Sequence, residues 1–367
     1  MMKKLELYFK EIVYGKKKGF FVFLIKMVLL PLSWLYGLGI CMRNRLYENG
    51  WMRRYTPPVP LVISVGNIVA GGTGKTPVTL MIANVFYERY FLAILSRGYR
   101  SRIEKLDTPV VLCEREGPTL PASYCGDESY LFAKRLPKAM VIVGGDRKKA
   151  SFLAAKAGVQ VILLDDALQH RRLARDFDVV VIDIGDPFGH GYYLPRGFLR
   201  DDISSLARAH LIVLNHFKDA EEFKKVKNQL SAYSKAPVIG TQGYVFAYRD
   251  LKGQIVIPEE DMSVAMFCSI ARPEYFRHTL ENEGFTIVDE YILADHDNIR
   301  EDKLERFSDR CLKKNAKWLV CTEKDRVKLQ DSLKVSLPIL WVQLELRVVN
   351  GEEEWSDFLK EMESKIA

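Results

Sequence analysis

The sequence is poor in cysteine and histidine, and neither residue type has the spacing of a metal site. Its 367 residues include six Cys and six His. No two cysteines stand as CxxC, and no Cys and His group together as zinc ligands do. Scattered cysteines are typical of small buried side chains in a reducing compartment, so we expect a cytosolic body.

Excess basic charge is absent from most of the chain. The formal net charge is +7, but residues 1–54 contain eleven Lys or Arg against three Glu, and the rest of the chain is nearly balanced. A nucleic-acid-binding protein usually spreads Lys and Arg over a folded face, so we expect no nucleic-acid partner. A basic segment joined to an apolar one instead favours an anionic membrane surface.

One long apolar run lies near the N-terminus. Residues 19–42 are apolar apart from Lys26 and a few small polar groups, and this length suffices to cross a bilayer. Lys26 and Pro31 weaken a spanning interpretation. Upstream, apolar residues recur with the spacing of an amphipathic helix: Leu5, Tyr8, Phe9, Ile12 and Val13.

We therefore expect residues 1–54 to anchor the protein in or through the inner leaflet of a membrane. Apolar burial and the attraction of Lys16, Lys17 and Lys18 to anionic lipid would hold this anchor. The alternative is a pair of hydrophobic helices buried against the rest of the protein.

From residue 60 onward, short β-branched runs alternate with segments long enough for helices. This alternation predicts βαβ units and a parallel sheet covered on both faces, hence an α/β fold. Near residue 240 the pattern changes to two strands around a turn at Lys252 and Gly253. Further runs predict a second, smaller α/β unit. The predicted strands are 60–68, 91–96, 139–145, 159–166, 177–184 and 209–215, then 263–271, 285–293, 316–322 and 338–346.

The strongest motif is ISVGNIVAGGTGKTPVTL, which predicts a strand, a glycine-rich turn and a helix. Backbone N–H groups of such a turn cradle phosphates, a following Lys reaches the β- and γ-oxygens, and a Ser or Thr ligates Mg²⁺. Val69 stands where the strict GxxxxGK[ST] pattern has Gly. The alternative is a glycine-rich turn that binds no nucleotide. The residues concerned are Gly71, Gly72, Thr73, Gly74, Lys75 and Thr76.

Two groups of acids follow predicted strands or begin a predicted helix. VILLDDALQH ends a strand with Asp165 and Asp166, where a Walker B carboxylate would hold Mg²⁺, and we favour Asp166 as the direct ligand. A helix N-cap is the alternative. Asp127 and Glu128 begin a helical pattern, either as helix-start charges or, for Asp127, as the base that positions an acceptor hydroxyl.

The remaining candidates are a histidine and three arginines. His296 lies between Asp295 and Asp297, where a carboxylate can tune a base, although a solvated loop histidine fits equally well. Each arginine follows a strand or lies in a turn, and each would either clamp phosphate or form a surface ion pair. They are Arg97, Arg147 and Arg200. The TEKD sequence at residues 322–325 is a candidate helix cap.

Together these motifs resemble the tetraacyldisaccharide 4'-kinases, membrane-bound lipid A kinases of Gram-negative bacteria. They occur in the family's order over about residues 60–330, as SVGNIVAGGTGKTP, LSRGYRS, GDE, VGGDR, LLDDALQH, LPRGFLR, ADH and TEKD. The family's P-loop likewise lacks the first Gly, which accounts for Val69. The implied fold is a P-loop NTPase-like α/β domain (55–240), a two-stranded linker (241–260) and a smaller α/β domain (261–367) behind the membrane-anchoring segment (1–54).

The resemblance implies transfer of the ATP γ-phosphoryl group to the 4'-hydroxyl of a tetraacylated glucosamine disaccharide 1-phosphate, giving lipid IVA in lipid A biosynthesis. ATP and Mg²⁺ are the implied cofactors. The implied partners are the lipid and the anionic inner leaflet, at the cytoplasmic face of the bacterial inner membrane, with no obligate protein partner.

The resemblance also implies a role for each candidate residue. Asp127 takes the hydroxyl proton, His296 assists it, and Lys75 neutralises the transferring phosphate. Thr76 and Asp166 hold Mg²⁺, with Asp165 and Glu128 as further carboxylates at the metal. Arg147 and Arg200 assist at the nucleotide, and Gln169, His170 and Asp295 complete the polar shell.

Two other classes of protein compete with this interpretation. A membrane-associated switch ATPase of the partitioning type also has GGTGKT, but its signature Lys would stand where this chain has Ala70. An anchored scaffold with a degenerate nucleotide site would leave Lys75, Asp127 and Asp166 without a shared purpose.

Overall fold

The fold is mixed α/β. The computed structural model describes residues 11–15, 17–259, 262–294, 297, 299–330 and 333–366. The described residues form 13 strands, and most of the strand pairs within each part of the chain are parallel. This architecture confirms the α/β class and the parallel sheet that the alternating sequence pattern predicts.

Apart from β3, the strands form where the β-branched runs predict them. The strands β1, β2, β5 and β6 are buried throughout, as parallel strands covered on both faces must be. The strands are β1 Leu61–Gly66, β2 Leu92–Ser96, β3 Val110–Glu114, β4 Met140–Val143, β5 Val161–Asp165, β6 Phe177–Asp183, β7 Leu211–Asn215, β8 Val238–Arg249, β9 Ile255–Val256, β10 Ser263–Cys268, β11 Thr286–Ile292, β12 Trp318–Thr322 and β13 Ile339–Asn350.

The helices fill the segments between these strands. Side-chain caps start several of them: Asp146 accepts from Lys148 N and Lys149 N, and Thr322 accepts from Asp325 N. The second cap confirms the predicted role of the TEKD sequence. The helices are α1 Phe20–Glu48, α2 Lys75–Phe86, α3 Ala122–Cys125, α4 Asp127–Arg135, α5 Arg147–Lys156, α6 Ala220–Leu230, α7 Pro273–Asn282, α8 Glu301–Leu312, α9 Glu323–Arg326 and α10 Glu352–Glu363.

The chain divides into two compact units. The first unit takes in the described residues of Met1–Lys75, Asp166–Thr241 and Val348–Ala367. The second unit takes in those of Thr76–Asp165 and Gln242–Arg347. The domain boundaries after residues 54, 240 and 260 stay a prediction.

In the first unit, β1, β6 and β7 are parallel neighbours, and β7 also pairs with the start of β8. Side chains of β6, β7 and the start of β8 pack into one apolar core with Phe223, Val226 and Leu230 of α6. The same core includes Ile68 and Val69 from the turn after β1 and Leu199 from the LPRGFLR segment. The core therefore fixes the turn that leads to Lys75.

In the second unit, β2 lies between β5 and β4, all parallel, while β3 pairs with β4 in the antiparallel sense. The sequence pattern did not predict β3. The strand β10 lies between β11 and β12, and β12 pairs with β13, again in parallel. The short β9 pairs with β8 through Tyr248 and Val256 around Gly253, which confirms the predicted pair of strands at this turn.

The helix α1 contacts the first unit through one narrow stripe. Its buried residues recur three or four positions apart from Ser33 onward, as one face of a helix requires: Val22, Ser33, Gly37, Ile40, Asn44 and Tyr47. Ser33 Oγ donates to Tyr193 O over 2.8 Å, and Asn44 Nδ2 donates to Asp201 Oδ1 over 2.9 Å. A Cβ on Gly37 would lie 2.5 Å from the Tyr193 ring, so glycine permits this close approach.

The other faces of α1 are apolar and exposed. Phe21, Trp34 and Leu38 are each about two-thirds exposed or more. The helix continues through Pro31, and its length and composition suffice to cross a membrane, with only 17% of its most apolar window buried. These exposed faces favour the membrane-anchor prediction over the buried-helix alternative for the described part of this segment. Most of the predicted upstream helix lies outside the described residues.

Candidate active site

The glycine-rich turn between β1 and α2 is held by two asparagine side chains. Asn67 Nδ2 donates to Thr73 Oγ1 over 2.8 Å, and Asn215 Nδ2, at the end of β7, donates to Thr73 O over 2.9 Å. Both asparagines are buried. Gly71 and Gly74 have φ of 127° and 85°, conformations that side chains with a Cβ rarely adopt. The strand, turn and helix therefore have the order that the motif predicts.

The lysine that ends this turn faces the second acid of the LLDDALQH motif. Lys75 Nζ lies 3.6 Å from Asp166 Oδ1. Asp166 adopts φ of 50°, a left-handed conformation that Asp tolerates better than most residues, as the chain turns after β5. The phosphate-loop lysine and a strand-end carboxylate thus lie together, as a Walker A and Walker B pair would.

Arg200 contacts Asp166 through both terminal nitrogens of its guanidinium group. Its Nη1 donates to Asp166 Oδ2 over 3.0 Å, and its Nη2 donates to Asp166 Oδ1 and to Asn67 Oδ1. Such fork contacts are among the stronger ion pairs because two hydrogen bonds fix the geometry. Arg200 is therefore held at the phosphate loop rather than forming a surface ion pair.

Gln169 and His170 lie on the segment that follows Asp166. Gln169 Nε2 donates to Asn67 O over 2.9 Å and to Asp201 Oδ2 over 3.3 Å. His170 O accepts from Arg175 Nη1 over 2.8 Å. The structure thus brings Gln169 to the same asparagine that Arg200 contacts, while the His170 backbone is tied to Arg175.

In the second unit, Asp165 ends β5 and is 3% exposed. Ser96 Oγ donates to its Oδ2 over 3.4 Å. Arg147, equally buried, donates from Nη2 to Asp165 O over 3.3 Å and from Nη1 to Gly144 O. The Arg147 guanidinium therefore binds the backbone at the ends of two parallel strands, β4 and β5.

Asp127 and Glu128 begin α4, and each faces a lysine near α9. Lys328 Nζ lies 3.3 Å from Asp127 Oδ2, and Lys324 Nζ lies 3.4 Å from Glu128 Oε1. The Lys328 side chain is only 5% exposed. The Lys328 ammonium therefore fixes the position of the Asp127 carboxylate at the start of α4.

Lys328 is itself held by a buried polar network that the sequence motifs did not reveal. Its Nζ donates to Ser269 Oγ over 2.6 Å and to Asp297 O over 3.3 Å. Asp325 accepts from Ser269 N over 2.9 Å and from Thr322 Oγ1 over 2.6 Å. The only sequence signal for Lys328 is its place three residues after the TEKD motif.

The cysteine that precedes the GDE motif is chemically inert. Burial raises the pKa of the Cys125 thiol to about 12, with a smaller contribution from the nearby Asp127 carboxylate. The thiol therefore stays protonated at neutral pH and does not compete with Asp127 for a proton. His296 and Asp295 lie outside the described residues.

The donor set suits a magnesium ion that is shared with a substrate. In the described part of the chain, no three His, Cys, Asp or Glu side chains are grouped to hold a metal by themselves. Mg²⁺ is typically bound by one or two carboxylates, waters and substrate phosphates rather than by an all-protein cage. The oxygen donors that the motifs supply, from a Thr and several carboxylates, fit that chemistry.

The glycine-rich turn joins a buried parallel strand to a helix that begins at Lys75, and this lysine is paired with a strand-end acid. This arrangement is typical of the nucleotide site of a P-loop phosphotransferase. The comparisons with known proteins narrow this class. A family model described as tetraacyldisaccharide-1-P 4'-kinase matches residues 25–364.

Curated relatives agree with this family over nearly their whole length. The tetraacyldisaccharide 4'-kinase of Syntrophotalea carbinolica is 35% identical over 356 residues, 95% of each chain. That of Elusimicrobium minutum is 34% identical and covers 93% of this chain and 92% of its own. A crystal structure of LpxK from Aquifex aeolicus in complex with ATP matches with a TM-score of 0.73 and 27% identity, over 93% of this chain and 99% of that chain.

The chain belongs to the tetraacyldisaccharide 4'-kinase family and is a kinase. This assignment confirms the resemblance drawn from the motifs, and it disfavours the switch ATPase alternative.

Proposed function

We propose that this protein transfers the γ-phosphoryl group of ATP to the 4'-hydroxyl of a tetraacylated glucosamine disaccharide 1-phosphate, which gives lipid IVA in lipid A biosynthesis. The observation that carries the proposal is the Lys75–Asp166 pair at the phosphate loop of a chain in this family. The ATP complex of the Aquifex aeolicus relative supports ATP as the phosphoryl donor.

The nucleotide binds at the turn after β1. Backbone N–H groups of Gly71, Gly72, Thr73 and Gly74 contact the phosphates, and Lys75 neutralises the group in transfer. Arg200 and Arg147 add positive charge on the nucleotide side. The contacts of Arg200 with Asp166 and Asn67 support this role, because they hold its guanidinium beside the loop.

Mg²⁺ would be held by the Thr76 hydroxyl and by Asp166, with Asp165 and Glu128 as further oxygen donors. Bound there, the ion would neutralise the charge that develops on the phosphates during transfer. Lys75 and Arg200 both contact Asp166 and so hold its carboxylate beside the glycine-rich turn.

The acceptor hydroxyl is activated by Asp127. Its carboxylate takes the proton of the 4'-hydroxyl while the hydroxyl oxygen bonds to the γ-phosphorus, and the bond from that phosphorus to the β–γ bridging oxygen breaks to release ADP. His296, flanked by Asp295, assists the base, and Gln169 and His170 complete the polar shell around the reacting groups.

The lipid acceptor requires a membrane surface, and α1 suits it. We propose that residues 1–54 hold the protein on the anionic inner leaflet, at the cytoplasmic face of the bacterial inner membrane. The exposed apolar faces of α1 support this placement. Residues 55–240, 241–260 and 261–367 would then form the kinase domain, the linker and the smaller domain, with no nucleic acid or obligate protein partner involved.

The test is the mass of the lipid after incubation of purified protein with Mg-ATP and a tetraacyldisaccharide 1-phosphate in detergent. We expect a gain of one phosphoryl group, abolished by Lys75→Ala and strongly reduced by Asp127→Asn. Lys360→Ala and Asp357→Asn are matched controls, because these side chains form an exposed ion pair on α10. ATP hydrolysis without any lipid product would refute the proposal.

A further inference from the structure

A second cluster of charged side chains lies in the first unit, and the proposed reaction does not use it. Four arginines and a histidine line a cavity of about 470 Å³, which we call the arginine cavity. Arg171 and Arg175 precede β6, and Arg208 and His210 precede β7, whereas Lys75 follows β1. Because these strands are parallel, the cavity lies at the opposite strand ends from the phosphate loop. The fourth arginine is Arg54.

Positive charge exceeds negative charge in the lining of this cavity. Among the described residues, the carboxylates that line it are Glu48 and Asp178, and arginines already contact both. Arg171 Nη1 lies 3.2 Å from Glu48 Oε1, and Arg175 Nε lies 3.0 Å from Asp178 Oδ1. The guanidinium groups of Arg54 and Arg208 also line the cavity, and neither forms an ion pair with these two carboxylates among the described residues.

Arg208 has hydrogen-bond donors that the described residues do not satisfy. Its Nε and Nη2 are buried and have no hydrogen-bond partner among the described residues. Nη2 lies 3.5 Å from Asp201 Oδ2, which is an ion pair without hydrogen-bond geometry. Asp201 in turn accepts hydrogen bonds from Asn44 and Ser205. Buried donors without acceptors are costly, so an additional acceptor in the cavity would stabilise this arginine.

The lowered pKa values of two arginines in the cavity also favour a bound anion. Burial, together with repulsion from Arg171, lowers the pKa of Arg208 to about 10. Burial also lowers the pKa of Arg171, and repulsion from Arg54 and Arg175 adds to this effect. An anion among these groups would offset both the burial and the repulsion.

The histidine adds a neutral donor to the same lining. His210 Nδ1 accepts the backbone N–H of Asp178 over 3.0 Å, so its proton lies on Nε2. Backbone carbonyls also accept from Arg171 and Arg175, so the donors left for a ligand are those of Arg208, Arg54 and His210. Guanidinium forks match phosphate oxygens in pairs, so these donors suit a multivalent oxyanion.

We propose that the arginine cavity binds a phosphate group. The group comes either from a lipid headgroup or from free phosphate. The lipid source is favoured by position, because Glu48 at the cavity is the last residue of α1, whose other faces are apolar and exposed. A headgroup bound there would attach the first unit to anionic lipid separately from the apolar helix.

The first experiment measures phosphate binding by the full chain in detergent. The thermal unfolding midpoint is followed against phosphate concentration, with chloride at matched ionic strength and a saturating non-hydrolysable ATP analogue to fill the phosphate loop. The variants are Arg208→Met, Arg54→Gln and, as a control with its ion pair elsewhere, Arg310→Met. We expect phosphate affinity to fall at least about tenfold in the first two variants and to stay unchanged in the control.

Arg54 is exposed, so Arg54→Gln keeps the test informative even if Arg208→Met does not fold. Identical phosphate titrations in the wild type and all three variants would overturn the proposal. The absence of any phosphate effect on the wild type would overturn it equally.

The second experiment distinguishes the two sources. Flotation with phosphatidylcholine vesicles is compared with flotation after phosphatidylglycerol is added. A headgroup source predicts that Arg208→Met loses about tenfold in phosphatidylglycerol-dependent binding and that free phosphate competes with the vesicles. A free-phosphate source predicts equal vesicle binding by Arg208→Met and Arg310→Met, with phosphate titrations that still differ.

Discussion

Replacement of Gly74 by Ala tests how the phosphate loop is held. Gly74 has φ of 85°, and a Cβ at this position would lie 2.4 Å from Asn215 Nδ2. That amide is the end of a side chain, but it has little freedom to move. It donates to Thr73 O over 2.9 Å, and its Oδ1 accepts from the Thr241 hydroxyl in a buried site.

The expected cost has two parts. The left-handed backbone costs a residue with a Cβ about 1–2 kcal/mol. Displacement of the Asn215 amide breaks a buried hydrogen bond and leaves its partner unsatisfied, which costs about 1–3 kcal/mol. Gly74→Ala should therefore lower the free energy of unfolding by about 2–5 kcal/mol, and the distorted loop should bind ATP at least about tenfold more weakly.

Gly253→Ala is the matched control. Gly253 has φ of 82°, close to that of Gly74, but a Cβ there would meet nothing within 4 Å. The free energy of unfolding of Gly253→Ala should therefore fall only by the backbone contribution, about 1–2 kcal/mol. This variant should keep the wild-type affinity for ATP. The assays are urea unfolding and ATP titration. Equal losses of stability in the two variants, with unchanged ATP affinity in Gly74→Ala, would refute the reasoning.

Three further predictions concern other parts of the fold. Lys328→Met removes the buried ammonium 3.3 Å from Asp127 Oδ2, so kcat should fall at least about tenfold because the carboxylate loses the contact that positions it, and Lys328→Arg should restore part of the loss; equal kcat values for all three proteins would exclude this role. Asn44→Leu removes a 2.9 Å hydrogen bond to the fully buried Asp201, and urea unfolding should show a loss of about 1–3 kcal/mol. For Asp289, burial raises the pKa, but contacts with two basic side chains lower it more, to below 3.8. These contacts therefore stabilise the folded protein above pH 3.8, and this stabilisation is lost as the pH falls through the lowered pKa of Asp289. Asp289→Asn should be less stable than wild type at pH 7 and should approach the stability of the wild type near pH 3.

The sequence was sufficient to predict the parts of the fold that local patterns determine. A parallel strand buried on both faces must be a short apolar run, and β1, β2, β5, β6 and β7 all lie within the predicted runs. The phosphate loop was equally predictable, because its glycines, lysine and threonine are adjacent in the chain. The sequence did not determine whether α1 is buried or exposed, because the same long apolar helix suits either position.

Contacts between distant segments explain what the sequence did not predict. Lys328 lies beside Asp127 although about 200 residues separate them, and no spacing rule connects the two. Asn67 and Asn215 fix Thr73 from two different strand ends, and their roles emerge only when β1 and β7 occupy the same unit. The edge strand β3 is only partly buried and pairs with β4 in the antiparallel sense, so it lies outside the parallel alternation of strands and helices that the sequence pattern predicts.

The most direct test of the central claim is the position of the transferred group. Protein in detergent would be given ATP labelled with ³²P at the γ-phosphate, together with either the tetraacyldisaccharide 1-phosphate or its 4'-deoxy analogue. Transfer to the 4'-hydroxyl predicts label in the first lipid, none in the analogue, and none in either lipid with Lys75→Ala. Label in the 4'-deoxy analogue, or label found only as inorganic phosphate, would contradict it.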